Sequence, residues 1–283
     1  GGVHNIDQEG KVMRAITDAH EDTEIFPLVN NFDQLTGDFR SDVVGKFLLN
    51  PAAQATFEKQ VLALLAANPK YHGISLDFEA IPSNAQPGYR KLVADLYAQM
   101  HTRHLRLYIN VPVDDDDWDF KFYAAHTAGI ILMNYDQHEP ASKPGPVAGQ
   151  EWFVRNLQQA LKVVPRSKLI CSIGNYGYDW TLSLPTHKGR KLIPGKVLSA
   201  EDLEVQDAWQ SASDSEASPV LEADSLNMHF AYDDEDAHTR HEVWYLDAVT
   251  AMNEMRAARE LGIQTFALWR LGSEALRLWK IWD

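Results

Sequence analysis

Short apolar runs alternate with longer segments of helical periodicity along this chain. Residues 24–31 (EIFPLVNN), 71–79 (YHGISLDFE), 105–113 (LRLYINVPV), 129–135 (GIILMNY), 168–174 (KLICSIG) and 263–269 (IQTFALW) read as strands. Helices fall between them. Over 50–67, Pro51 follows the cap residue Asn50, and Phe57, Val61, Leu64 and Leu65 recur at helical spacing. Over 88–102, Leu92, Val93, Leu96, Tyr97 and Met100 make one stripe. Helices are also predicted over 151–164, closed by Pro165, and over 247–261, closed by Gly262.

Strand, helix and strand at this spacing make βαβ units and a parallel sheet, the α/β class. Several strands are apolar on both faces, as in a sheet covered by helices on one side and a packed interior on the other. A (β/α)8 barrel fits better than an open doubly wound sheet, because polar residues gather at the C-terminal ends of the strands. They are Asn30 and Asn31, Asp77 and Glu79, Asn110, Tyr135 and Asp136, Asn175, and Trp269 with Arg270. No glycine-rich phosphate loop follows a strand, which weakens a nucleotide-binding alternative. Residues 178–240 break the rhythm with Pro185, Pro194 and Gly195, an acidic run over 214–222, and one strand candidate at 227–232 (NMHFAY). They read as an insertion between the last two barrel strands of a single domain over residues 1–283. A barrel needs eight strands and six are found outside the insertion, while the 23 residues before Glu24 hold no strand-like run. The first two strands are therefore expected to be missing from this chain.

The length of 283 residues suits one large domain or two small ones. The net charge of −14 repels phosphate backbones and anionic surfaces, so neither a nucleic-acid partner nor membrane docking is expected. An uncharged ligand fits better, and the 8 Trp and 10 Tyr would suit stacking on sugar rings, although such residues are more often core. Cys171 is the one cysteine, so there is no intrachain disulfide and no Cys-based metal site. No apolar run of about 18 residues is present to span a membrane. The start Gly1-Gly2-Val3-His4 lacks an initiator Met and a leader, and reads as mature or excised from something longer.

Within 71–79, period-two alternation puts Gly73, Ser75, Asp77 and Glu79 on one face and Ile74, Leu76 and Phe78 on the other. The three apolar side chains are expected to pack toward helices, leaving two carboxylates facing the interior. A carboxylate is costly to bury unless it is paired or protonated. Two neighbouring carboxylates tend to share a proton, so that one can act as an acid near neutral pH. Two acids that merely cap a strand end and bond a loop would give the same letters.

The segment from His72 to Glu79 resembles the active-site strand of glycoside hydrolase family 18, D-G-x-D-x-D-x-E. Three more segments are similar to that family, in the same order. Met133-Asn134-Tyr135-Asp136 resembles its M-x-Y-D strand. Asn175-Tyr176-Gly177-Tyr178-Asp179-Trp180 resembles its P-x-Y-G-x-x-W element, and Ala267-Leu268-Trp269-Arg270 its last strand, whose Trp floors the sugar site. Tyr135-Asp136-Gln137-His138, Pro144-Gly145-Pro146 and Trp269-Arg270-Leu271-Gly272-Ser273 look closest to bacterial members. These include spore-type peptidoglycan hydrolases and modules fused to polysaccharide deacetylase or glycosyltransferase domains. Two positions depart from the pattern: His72 stands at the first Asp and Ser75 at the second. Ser75 can hydrogen-bond Asp77 but cannot share its charge, so weaker coupling is expected. The spore-type branch also commonly lacks that second Asp.

The resemblance implies a glycosidase of the chitinase or N-acetylglucosaminidase kind. It would cleave a β-linked N-acetylglucosamine-containing polysaccharide with retention and without an enzyme nucleophile. Glu79 would protonate the leaving glycosidic oxygen and then act as base toward water. The substrate's own acetamido oxygen would attack the anomeric carbon, with Asp77 bonding the acetamide N–H and Tyr135 its oxygen. Asp136 would hold the sugar or Asp77, and Trp269 would stack under the distorted ring. No cofactor and no metal enters the scheme. The resemblance also implies an extracytoplasmic setting and covalent linkage to other polysaccharide-processing domains in a parent protein.

Other residues carry two readings each. Asn30, Asn31 and Asn110 could bond sugar hydroxyls or cap loops. Tyr176, Tyr178 and Trp180 could line the cleft, or Trp180 could simply close the insertion. His238-x-x-His241-Glu242 has zinc-like spacing but no third ligand in view, and the flanking Val243, Trp244 and Leu246 read as core. His101-x-x-His104 sits at a helix end, where a cation is favourable without any ligand. Asp114–Asp117 reads as a solvated loop, with a cation site as the sharper alternative. His138 either faces the cleft or supports its loop. The alternative to an enzyme is a non-catalytic carbohydrate-binding or regulatory barrel module of a larger polysaccharide-processing protein. The presence of Glu79 argues against it.

Overall fold

Residues 22–188, 191–273 and 276–282 are described in a computed structural model of the protein. Residues 1–21, on which the reading of the chain start rests, lie outside them. The described chain forms two compact units, divided within the strand that crosses from Ile109 to Asn110, with His126–Ala128 belonging to the first.

The first unit begins with strand β1 (Leu28–Asn30), the short hairpin β2 (Phe32–Asp33) and β3 (Asp38–Phe39), and helices α1 (Ser41–Leu48) and α2 (Pro51–Ala67). Strand β4 (Gly73–Asp77), helix α3 (Gln86–His101) and strand β5 (Arg106–Pro112) follow. β1 and β4 pair in parallel with Asn30 opposite Asp77, and β4 and β5 pair in parallel with Leu76 opposite Ile109. Asn50 caps α2 by accepting from the backbone N–H groups of Ala52 and Ala53, as its sequence implies. Val61 and Leu65 of the expected stripe are buried, but Leu64 is 42% exposed. It stands about 60° round the helix from Val61, at the edge of a stripe set by i, i+4 spacing. α3 starts two residues before the predicted Gly88, because a 3-10 turn at Ser83–Ala85 leads into it.

β4 is buried along its whole length, and α3 covers it with Tyr89, Leu92, Val93, Leu96 and Met100, all without exposed surface. Phe78 packs among rings from all three helices, with centroids 6.1 Å from Phe47, 6.1 Å from Phe57 and 5.7 Å from Tyr89. The alternation expected along 71–79 therefore holds: Ile74, Leu76 and Phe78 are the apolar face. Gly73 is required where β4 meets β5. Its φ is +152°, and a Cβ there would stand 1.7 Å from the carbonyl oxygen of Arg106.

The second unit contains α4 (Phe120–Ala125), β6 (Gly129–Met133), α5 (Gln150–Ala160) and β7 (Leu169–Gly174). β6 pairs with β7 in parallel. Next come β8 (Tyr176–Ser183), the small hairpin β9 (Thr186–Lys188) and β10 (Lys191–Ile193), β11 (Val197–Glu204) and α6 (Val205–Asp214). The unit ends with β12 (Val220–Leu221), β13 (Met228–Asp234), β14 (Thr239–Tyr245), α7 (Ala248–Glu260) and β15 (Phe266–Trp269). β15 returns beside β7 in parallel, with Trp269 opposite Gly174. All six strands read from apolar runs are thus present, each in parallel pairing. α5 stops at Ala160 rather than Val164, because its last turn tightens to i to i−3 bonds from Lys162 and Val163 ahead of Pro165.

Between β7 and α7 the chain builds an antiparallel sheet in the order β11-β8-β14-β13-β12. α6 closes one face, packing Val205, Ala208 and Ala212 against Phe230, Val243 and Tyr245. The sequence revealed one of these strands, at 227–232. Among the described residues no helix is long and apolar enough to cross a membrane.

Candidate active site

In the first unit, Ser75 and Asp77 are buried at 6% and 3% exposure, on the β4 face opposite the helices. Glu79 stands two residues past the end of β4 and is half-buried. Asn31, just beyond β1, fixes its backbone: the Asn31 Nδ2 group donates to the Glu79 carbonyl at 2.9 Å, and the Glu79 N–H donates to Asn31 Oδ1 at 2.8 Å. Asn31 is thus engaged with Glu79 and its loop. Asn30 is exposed and accepts from the Phe32 N–H at 3.3 Å. His72 lies at the other end of β4, where its Nδ1 accepts from the Ile25 N–H at 3.2 Å.

In the second unit, Asn110 is buried on β5, at 8% exposure. Tyr135 and Asp136 follow β6 directly, and Asp136 adopts φ +63°. A left-handed conformation is uncommon for Asp and costs roughly 1–2 kcal/mol, so its neighbours must hold it. They do. The buried Asn134 donates to the Phe153 carbonyl at 3.0 Å and accepts from Asn156 Nδ2 at 3.0 Å. The Gln137 N–H donates to the Val147 carbonyl at 2.8 Å.

The Asp136 carboxylate is clamped from β8. Tyr176 and Tyr178 both donate their hydroxyls to Oδ1, the latter at 2.7 Å. Burial raises the pKa of Asp136, the two phenols oppose that rise, and the charges of Glu139 and Asp202 add to it. Asp136 keeps solvent-exposed surface while protein atoms crowd its carboxylate, so water moderates the shift. Burial first, and then the Asp136 charge, push both phenols upward, so they remain protonated donors. The rings form an edge-to-face ladder: Tyr135 to Tyr176 at 5.9 Å, Tyr176 to Tyr178 at 5.6 Å, and Tyr178 to Trp180 at 5.5 Å. Trp180 is fully buried on β8, so its ring offers no surface to a cleft.

Trp269 ends β15 with 41% exposure, and its bond to Arg270 is cis. Asn175 holds this corner, donating from its backbone to the Trp269 carbonyl at 3.1 Å and from Nδ2 to the Arg270 carbonyl at 2.9 Å. The sequence placed Asn175 among the strand-end polar residues without this role. Other candidates take supporting places. His138 Nδ1 bonds the Lys143 carbonyl within its own loop, and Asp114 accepts from Trp152 Nε1 at 2.8 Å. His241 Nδ1 bonds Asp179 at 2.9 Å, and Glu242 is shared between His229 and Arg240. Among the described residues no group of three or more His, Cys, Asp or Glu could hold a metal ion.

The family model described as Glycosyl hydrolases family 18 matches residues 10–274 of this chain. The chain belongs to glycosyl hydrolase family 18. It is a glycoside hydrolase with the (β/α)8 fold of that family. This family 18 chain is 26% identical over 262 residues to the uncharacterized glycosylase YvbX of Bacillus subtilis, covering 89% of the chain and 72% of YvbX. It is 24% identical over 279 residues to the cortical fragment-lytic enzyme of Bacillus subtilis, covering 94% of the chain but only 61% of that enzyme. The chitinase structure from Chromobacterium violaceum aligns with a TM-score of 0.81 and 23% identity, over 99% of this chain and 84% of that one. At that identity the likeness concerns the fold.

Proposed function

We propose that this family 18 hydrolase cleaves a β-linked N-acetylglucosamine-containing polysaccharide, with retention and with the substrate's acetamido group as nucleophile. The observation that carries the reading is Glu79, held just past β4 by its two backbone bonds with Asn31, two residues beyond the buried Asp77. Glu79 is the proton donor to the leaving oxygen and then the base toward water. Asp77 bonds the acetamide N–H and stabilises the positive oxazolinium intermediate. Tyr135 orients the acetamide oxygen, Asp136 accepts from a sugar hydroxyl, and Trp269 offers its exposed ring as a stacking surface. Ser75 supports Asp77 from the same face of β4 without adding a charge. Chitin oligomers and cortical fragments are the substrates to try first, in keeping with the chitinase and the cortical fragment-lytic enzyme that the chain resembles. An extracytoplasmic site of action belongs to the same proposal.

Glu79→Gln keeps the shape and removes the transferable proton. Turnover of an N-acetylglucosamine polymer should fall by about 10²- to 10⁴-fold, with oligosaccharide binding retained. Steady-state hydrolysis and a binding isotherm check this. Hydrolysis at the wild-type rate in that variant would contradict the assignment.

A further inference from the structure

Both phenols that reach Asp136 donate to the same atom. Tyr176 and Tyr178 bond Oδ1, and among the described residues no donor reaches Oδ2. The carboxylate is thereby pinned by one oxygen and offers the other outward from an exposed residue. Its backbone is fixed as well, by the left-handed turn at Asp136 between the anchored Asn134 and Gln137. Tyr178 suits a rigid role. It is 6% exposed in the middle of β8, opposite Asp202 on β11 and Trp244 on β14, with Tyr176 and Trp180 packed against its ring. We propose that Tyr178 is a positioning residue, which with Tyr176 holds Asp136 by Oδ1 so that Oδ2 accepts a hydroxyl hydrogen of the bound sugar. This rests on the reading of the chain as a hydrolase of N-acetylated glycans and assigns a part to a residue that reading leaves unused.

The clamp has an electrostatic consequence. Among the described residues, Tyr176, Tyr178, Glu139 and Asp202 act on the Asp136 carboxyl, with Tyr135 packed against the Tyr176 ring, and burial and both acids favour its neutral form. Among the described residues the two phenols favour the anion. An acceptor oxygen is needed at Oδ2, so the phenols keep Asp136 both aimed and ionised. Removing one should raise the pH at which Asp136 takes up a proton, and sugar binding should fail at a correspondingly higher pH.

The test is Tyr178→Phe, which removes one oxygen and keeps the ring. The carboxyl titration of Asp136, followed by ¹³C NMR in the full chain, should move upward by about one pH unit, the size expected for loss of one hydrogen bond to a charged group. With a fluorogenic β-glycoside of an N-acetylglucosamine oligomer, KM at acidic pH should rise about tenfold while kcat changes little, and the acidic limb of kcat/KM should follow the titration. Tyr176→Phe should act in the same direction, which serves as a second variant should the first fold poorly. An unmoved Asp136 titration in both variants would overturn the clamp. A moved titration with unchanged KM and pH profile would overturn the positioning role. A wild-type chain inert toward the N-acetylated probe would overturn the proposed function instead, and the titration would still decide the clamp.

Discussion

Asn31 and the Glu79 backbone exchange two hydrogen bonds across 48 residues of sequence, and this exchange holds the backbone from which the Glu79 carboxyl projects. Asn31→Ala leaves the Glu79 N–H and carbonyl without that partner, a change worth about 1–3 kcal/mol if water does not replace it. kcat on an N-acetylated oligosaccharide should fall by tenfold or more with a modest drop in Tm, and paired melting and kinetic measurements check this. Unchanged kcat would show that Glu79 is held by other means. Sequence reasoning put Asp77 and Glu79 on one face because alternation along one strand is local, and the buried Ile74, Leu76 and Phe78 bear out that alternation. It left Asn31 open between sugar hydroxyls and a loop cap, since an amide at a strand end reads the same whether its partner is a ligand or a distant backbone. The donors to Asp136 were legible as residues but not as a clamp. Tyr176 and Tyr178 lie 40 and 42 residues away, and only their strand register brings both hydroxyls to one oxygen.

Helix α7 shows how an element can carry a destabilising residue. Glu254 has no exposed surface, and neither carboxyl oxygen has a hydrogen-bond partner among the described residues. Burial holds its pKa well above the ordinary 4.5. The folded state therefore keeps a proton that the unfolded chain releases, so this residue's contribution to stability falls as pH rises above 4.5. Glu254→Met should stabilise the chain by about 1–3 kcal/mol near neutral pH, with the gain shrinking as pH falls through the ordinary carboxylate range. Thermal melts of both proteins at acidic and neutral pH check this. A gain that ignores pH would point to packing alone. The cap of α2 could be read from Asn50 because capping is a local signal. The insertion sheet could not be read so easily. β11 is exposed at most of its positions and carries little apolar pattern, and it forms because β8 offers it seven paired positions.

For the whole molecule, the order of apolar runs was enough to give the parallel strands, and four ordered motifs were enough to give family 18. The antiparallel sheet between β7 and α7 was harder, because it depends on pairing between segments far apart in sequence. The charge of −14 also acquires a location. Part of it lines a recess of about 680 Å³ near α6 and the β13–β14 turn, where Asp207, Asp214, Asp234 and Glu235 meet Tyr232. No candidate site residue lines that recess. A surface of this sign accommodates a neutral or partly deacetylated glycan better than a polyanionic one. Substrate assistance, however, requires the acetamido group on the reacting sugar, and retention follows from its attack on the anomeric carbon. The most direct measurement is a ¹H NMR time course of the full chain on a β-linked N-acetylglucosamine oligomer, run beside the same oligomer stripped of its acetyl groups. The β-anomer should form first from the acetylated substrate, with no turnover of the stripped one. Initial release of the α-anomer, or equal cleavage of both substrates, would contradict the mechanism.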